Sequence, residues 1–78
     1  MEYFLGQIVA FPYNFEPIHF RKCNGMEMEV KSNQALYSLL GFKFGGDGVD
    51  FFHLPKMEDP CEGISYYICI NGLYPQRN

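Results

Sequence analysis

Residues 33–48, NQALYSLLGFKFGGDG, constrain this chain more than any other stretch of it. Leu36, Leu39 and Leu40 fall at i, i+3 and i+4, which places them in one apolar stripe along a helix. Ser32 or Asn33 can cap that helix, because either side chain can accept a hydrogen bond from a first-turn amide. Gly41 supplies the left-handed residue that ends it, with Phe42 packing back over the last turn. A helix of about two turns cannot be stable alone, so it must lean on a sheet. Gly45, Gly46, Asp47 and Gly48 then form a structural turn in backbone conformations that a Cβ would forbid. Asp47 is read there as hydrogen-bonding its own loop amides. Phe51, Phe52, His53 and Leu54 follow as a short strand that Pro55 ends.

The remaining segments read mainly as strands. Residues 3–11 are rich in β-favouring side chains and stop at Pro12. Both of their alternating sets are largely apolar, so this strand is either central in its sheet or covered by a partner. Residues 13–17 form a helical turn or tight loop between two prolines. Residues 18–23 and 26–30 alternate on either side of Asn24-Gly25, a dipeptide that predicts a type I′ hairpin. Residues 56–63 read as a polar connection, and residues 65–72, SYYICING, as the last long strand. The first and last strands are expected to lie side by side. The fold class is α+β: a small, mostly antiparallel sheet with one short helix and adjacent N- and C-terminal strands. Seventy-eight residues form a single domain, 1–78.

A domain this small buries only about 60–65% of its unfolded surface. Eight Phe and six Tyr are therefore too many to hide. Some rings are expected on an exposed patch that a second chain covers. The candidates are Tyr3, Phe4, Phe11, Tyr13, Phe15, Tyr74 and Pro75, since the chain ends should meet there. Nine carboxylates stand against six Lys and Arg, giving a net charge of −3. Only Arg21 and Lys22 are adjacent, so no nucleic-acid partner is expected. No apolar run approaches the roughly 20 residues a bilayer requires, so no membrane partner is expected either. No signal peptide is visible at the N-terminus.

Catalytic and metal-binding chemistry find little support. Cys23, Cys61 and Cys69 match no zinc spacing; Cys23 and Cys69 read as small buried apolar residues, and Cys61 as the exposed one. Cys61 could form an intersubunit disulfide. His19 and Cys23 would share a strand face, but about 13 Å apart, too far for one ion. His19 and His53 thus read as structural or solvated. Asp47 and Asp50 supply only two carboxylates for a calcium loop. The glycines lack the Lys-Ser/Thr of a phosphate loop. No serine or cysteine has a nucleophile's setting, and Glu27 and Glu29 read as solvating a hairpin arm. The expectation is a protein that is not an enzyme and has no cofactor.

Several pieces occur in the order of a known family. They are Gly6-Gln7-Ile8 with Phe11, Asn14-Phe15-Glu16-Pro17, Cys23-Asn24-Gly25, residues 33–48, and Phe52-His53-Leu54-Pro55. A C-terminal piece runs from Tyr67-Ile68 through Ile70, Gly72 and Pro75 to Arg77. Together they resemble the phage tail-collar family, also known as microcystin-dependent proteins. The position of that family's common Trp is held by Phe20. Longer members continue after Leu-Pro with a D-L-R-G-R-x-P segment and a long glycine-rich insertion. Here residues 56–63, KMEDPCEG, lead almost at once to the last strand, so the insertion's receptor and metal roles are not implied. The resemblance implies a structural or assembly protein, self-associating as a homo-oligomer or filament, or docking onto a tail or fibre protein. It also implies a virion or extracellular structure assembled in the cytoplasm. The alternatives are a monomeric module binding a small ligand such as a carbohydrate through its tyrosines, or a subunit of an extracellular filament or adhesin.

Overall fold

The computed structural model describes residues 2–76. Five strands and one helix follow the order β1 (Ile8–Phe11), β2 (Phe20–Lys22), β3 (Glu27–Glu29), α1 (Gln34–Leu40), β4 (Phe51–His53) and β5 (Ser65–Cys69). The architecture is α+β with all strand pairing antiparallel, in two small sheets: β1-β5-β2 and β3-β4. The first and last strands are neighbours, with Ile8 opposite Ile68 and Phe11 opposite Ser65. Among the described residues no helix is long and apolar enough to cross a membrane.

The last strand, β5, occupies the centre of the larger sheet, and its alternation divides the interior in two. Ile68, flanked by Tyr66 and Ile70, meets the main core of Leu5, Cys23, Leu36, Phe52 and Leu54. Tyr67 and Cys69, on the opposite face, join Phe20 in a second cluster that Tyr3, Val9 and Phe11 partly cover. Leu36 is the fully buried anchor of the helix, while Leu39 and Leu40 pack half-buried against the same core.

The structure corrects several local expectations. The first strand is shorter than residues 3–11, because Phe4–Gln7 form a turn closed by the Gln7 N–H donating to the Phe4 carbonyl at 3.0 Å. Gly6, at φ +84°, fills the third position, where this turn needs a positive φ. The Gly6 N–H donates to Cys69 O, and the Cys69 N–H donates to Gln7 O. Two residues thus oppose one, a glycine bulge that starts β1. The strand lies at an edge of its sheet, not at the centre.

The Asn24-Gly25 hairpin is not formed either. Of these two residues only Gly25 has a positive φ, whereas a type I′ turn needs two. Residues 18–23 contribute β2, paired with β5, and β3 pairs with β4, so the dipeptide is a crossing between sheets. The Asn24 side chain accepts from the Met26 N–H, and Asn24 itself bridges to Lys56. Asn33 does stand at the helix N-cap, but no side chain caps the helix. The Asn33 Nδ2 instead donates to the Glu29 carbonyl, and the Ser32 hydroxyl bonds the Glu29 carboxylate. Gly41 ends the helix at φ +61° with an extended ψ of −151°, outside the left-handed helical basin. The Phe42 ring lies over Gly48, across the glycine turn.

Candidate interaction surface

The glycine turn joins helix to sheet. One carboxylate oxygen of Asp47 accepts the N–H groups of Val49, Asp50 and Phe51 at 2.9, 2.9 and 3.1 Å. Those three bonds stabilise the charged form and hold the Asp47 carboxyl below its ordinary pKa. Gly46 sits at φ +97° with its Cα hydrogens against β4. A Cβ there would fall 2.5 Å from the Phe51 carbonyl oxygen and 2.6 Å from the Phe52 Cα. The helix grips the same turn through Tyr37, whose hydroxyl donates to the Gly48 carbonyl at 2.9 Å. This brace had no sequence signal, since Tyr37 and Gly48 are eleven residues apart and match no local motif.

Of the seven aromatic and proline candidates, four gather about the outer face of the larger sheet. Tyr3 and Phe11 are half-buried and meet the Phe20 ring edge-on, at 5.0 and 5.3 Å. From Phe11 a ladder of nearly parallel rings runs outward: Phe11–Tyr13 at 5.2 Å and Tyr13–Phe15 at 5.1 Å between centroids. Exposure rises along it, reaching 60% at Phe15. The Tyr67 hydroxyl donates to the Tyr13 carbonyl at 2.7 Å and ties the ladder to the central strand. Beside the outer rings, Asn14, Glu16, Lys22, Ser65 and Tyr67 help line an open groove of about 700 Å³.

The other three candidates lie near the meeting of the chain ends. Phe4 is exposed and bridges in parallel to Leu73. Tyr74 shares a 2.7 Å hydrogen bond with the Ser38 hydroxyl, and with Pro75 it lines a groove along the helix with Ser38 and Leu39. The seven therefore form two groups instead of one patch. Sequence reasoning passed over Ile18, among the described residues the most exposed large apolar side chain at 82%, because it reads as an ordinary strand residue.

The groups considered for chemistry are dispersed. Asp50 donates its N–H to Asp47, whose carboxylate is already engaged with the turn. His53 stacks against Gly45, and its Nε2 stands 3.8 Å from Glu27. His19 lies on the larger sheet's side, at a positive φ of 69°, with Nδ1 3.4 Å from the Asn71 amide. Among the described residues, no group of three or more His, Cys, Asp or Glu is placed to hold a metal ion. Cys23 and Cys69 are buried, Cys61 is exposed, and all three are free thiols. Burial pushes the Cys23 thiol up to about 11.

The family model described as Phage Tail Collar Domain matches residues 6–61, more than two thirds of the chain. That span starts at the bulge glycine and includes the helix and the glycine turn. The C-terminal part of the sequence resemblance lies beyond it, and Arg77 lies outside the described residues. No curated protein and no solved structure matches the chain significantly.

Proposed function

The chain belongs to the phage tail collar domain family, a structural family and not an enzyme family, and from that premise we propose that it is an assembly element of a phage tail or tail fibre. In this reading it associates with copies of itself or docks onto a tail or fibre component, and it is carried in the virion. The observation that carries the reading is the ring ladder Phe11–Tyr13–Phe15, continuous with the buried cluster about Phe20 and increasingly exposed outward. Large rings left in water on so small a domain mark a surface that a partner covers. Association also adds stability by mass action to a fold of modest core.

The open groove beside the ladder supports a second reading, a monomeric carbohydrate-binding module. It is the weaker fit. Stacked on one another, the rings leave the outer face of Phe15 as the main platform for a sugar. Light scattering at micromolar concentration separates the two. The assembly reading expects a mass above 9.1 kDa that falls at least tenfold in association constant on Tyr13→Ser with Phe15→Ser. A strictly monomeric wild type that binds a neutral sugar overturns it.

A further inference from the structure

The two sheets offer four outer strand edges, and the described residues close or charge three of them. On β2 the hydrogen-bonded partners of β5 are Arg21 and Cys23, so Phe20 and Lys22 face outward. Their N–H groups are nevertheless taken: Phe20 donates to the Pro17 carbonyl at 3.0 Å and Lys22 to the Glu16 carboxylate at 2.8 Å. The Phe20 carbonyl accepts from the Arg21 guanidinium. The outer edge of β4 is covered by the glycine turn, where His53 donates to Gly45 and Gly48 donates to Phe51. The outer edge of β3 carries Glu27 and Glu29, and the Asn33 side chain occupies the Glu29 carbonyl. Charges and side-chain caps of this kind are how sheet edges are kept from pairing.

Among the described residues, the fourth edge, β1, has none of these devices. Ile68 and Tyr66 spend their backbone groups on β2, so opposite them Ile8 and Ala10 turn their N–H and C=O groups away from β5. No charged residue occurs from Gly6 to Phe11. Both Ile8 and Ala10 are exposed.

We infer that β1 is the seat of self-association: two copies pair antiparallel through it about a two-fold axis at Val9. This deepens the assembly reading above and rests on it. The occupant is a second copy because the edge is self-complementary. One donor and one acceptor stand on each of two residues flanking a residue that faces the other way. Set about Val9, Ile8 meets the partner's Ala10 and Ala10 meets the partner's Ile8, exchanging about four hydrogen bonds between them. An uncharged strand needs no complementary charge from its partner. The result is one six-stranded sheet, β2-β5-β1 and its mirror in order. A stable interface takes about 800 Å² from each side, more than a four-residue edge supplies. The ring ladder that continues from Phe11 beyond the strand provides further apolar surface. The arrangement is closed, because an isologous pair uses up β1 in both copies while the other edges stay blocked.

The test is sedimentation equilibrium of the full chain with circular dichroism of each variant. Wild type is expected to form a dimer and nothing larger. Ala10→Pro removes an outward N–H that β5 does not use, and an edge strand accepts proline there. Ala10→Lys places a charge on the same edge and serves if the proline variant does not fold. Either substitution is expected to weaken dimerisation at least tenfold with an unchanged spectrum. Ile18→Lys, away from this edge, is expected to leave it unaltered. A folded Ala10→Lys protein that dimerises like wild type overturns the β1 assignment while leaving self-association standing. Wild type that grows beyond two copies overturns closure, and a wild type that stays monomeric overturns the inference while leaving docking onto a tail or fibre component as the form of the assembly reading.

Discussion

At the scale of single residues, the carboxylate of Asp47 does the work of a bound anion: one of its oxygens collects the N–H groups of Val49, Asp50 and Phe51. Its depressed pKa has a definite sign. The unfolded carboxyl titrates near 3.8, and the folded one lower, so the contribution is full above the unfolded value. It is lost as pH falls through the folded value. Asp47→Asn keeps an acceptor oxygen but removes the charge. The variant is expected to melt below wild type at pH 7 and to converge on it as pH falls below about 4. Thermal melts across that range check it; a constant gap in melting temperature would contradict the assignment. The Cys23 thiol follows the opposite slope. With its folded pKa raised from 9.0 to about 11, Cys23 supports the fold below pH 9 and withdraws that support as pH climbs through the folded value.

At the scale of elements, the helix is held by its contacts and not by its ends. It has seven residues, no side-chain cap, no acidic residue in its first turn and no basic one in its last. Tyr37 therefore carries weight out of proportion to its position. Tyr37→Phe leaves the ring beside Phe52 but strands the Gly48 carbonyl. About 1 kcal/mol of stability should be lost, read as a shift in urea midpoint without a change in slope. The helix itself was legible in the sequence, because Leu36, Leu39, Leu40 and Gly41 encode it locally. So were β4 and β5, bounded by Pro55 and by the turn around Gly63. The Asn24-Gly25 expectation failed for a reason no local pattern contains: β5 offers β2 a partner forty-odd residues away, and β4 offers β3 one twenty-odd residues away. Long-range pairing overrode a good turn dipeptide. The first strand failed in the opposite sense, since the composition of residues 3–11 reads as continuous strand while Gly6 breaks it with a bulge. On the candidate surface, aromatic content announced exposed rings, but the separation of Tyr74 and Pro75 from the Tyr13 ladder depends on where the helix lies.

At the scale of the whole molecule, two apolar clusters share the single strand β5, with Ile68 turned to one and Tyr67 and Cys69 to the other. The clusters should therefore open together. Their thiols report on this, since Cys23 belongs to the main core and Cys69 to the second cluster. A thiol reagent at pH 8 is expected to modify Cys61 promptly and the other two only on unfolding, at one common rate. Clearly different rates for Cys23 and Cys69 would mean that the clusters come apart separately.

The contact between Phe4 and Leu73 also sets how the domain answers a pull. There the Leu5 N–H donates to Leu73 and the Leu73 N–H to Tyr3, between segments running the same way. Tension entering at Tyr3 and leaving at Leu73 slides these segments past each other, so both bonds bear the load simultaneously. Behind them, β1 and β5 run antiparallel with their loaded ends together, a geometry that the same force would unzip one rung at a time. The short parallel clasp thus stands as a mechanical latch in front of the weaker seam.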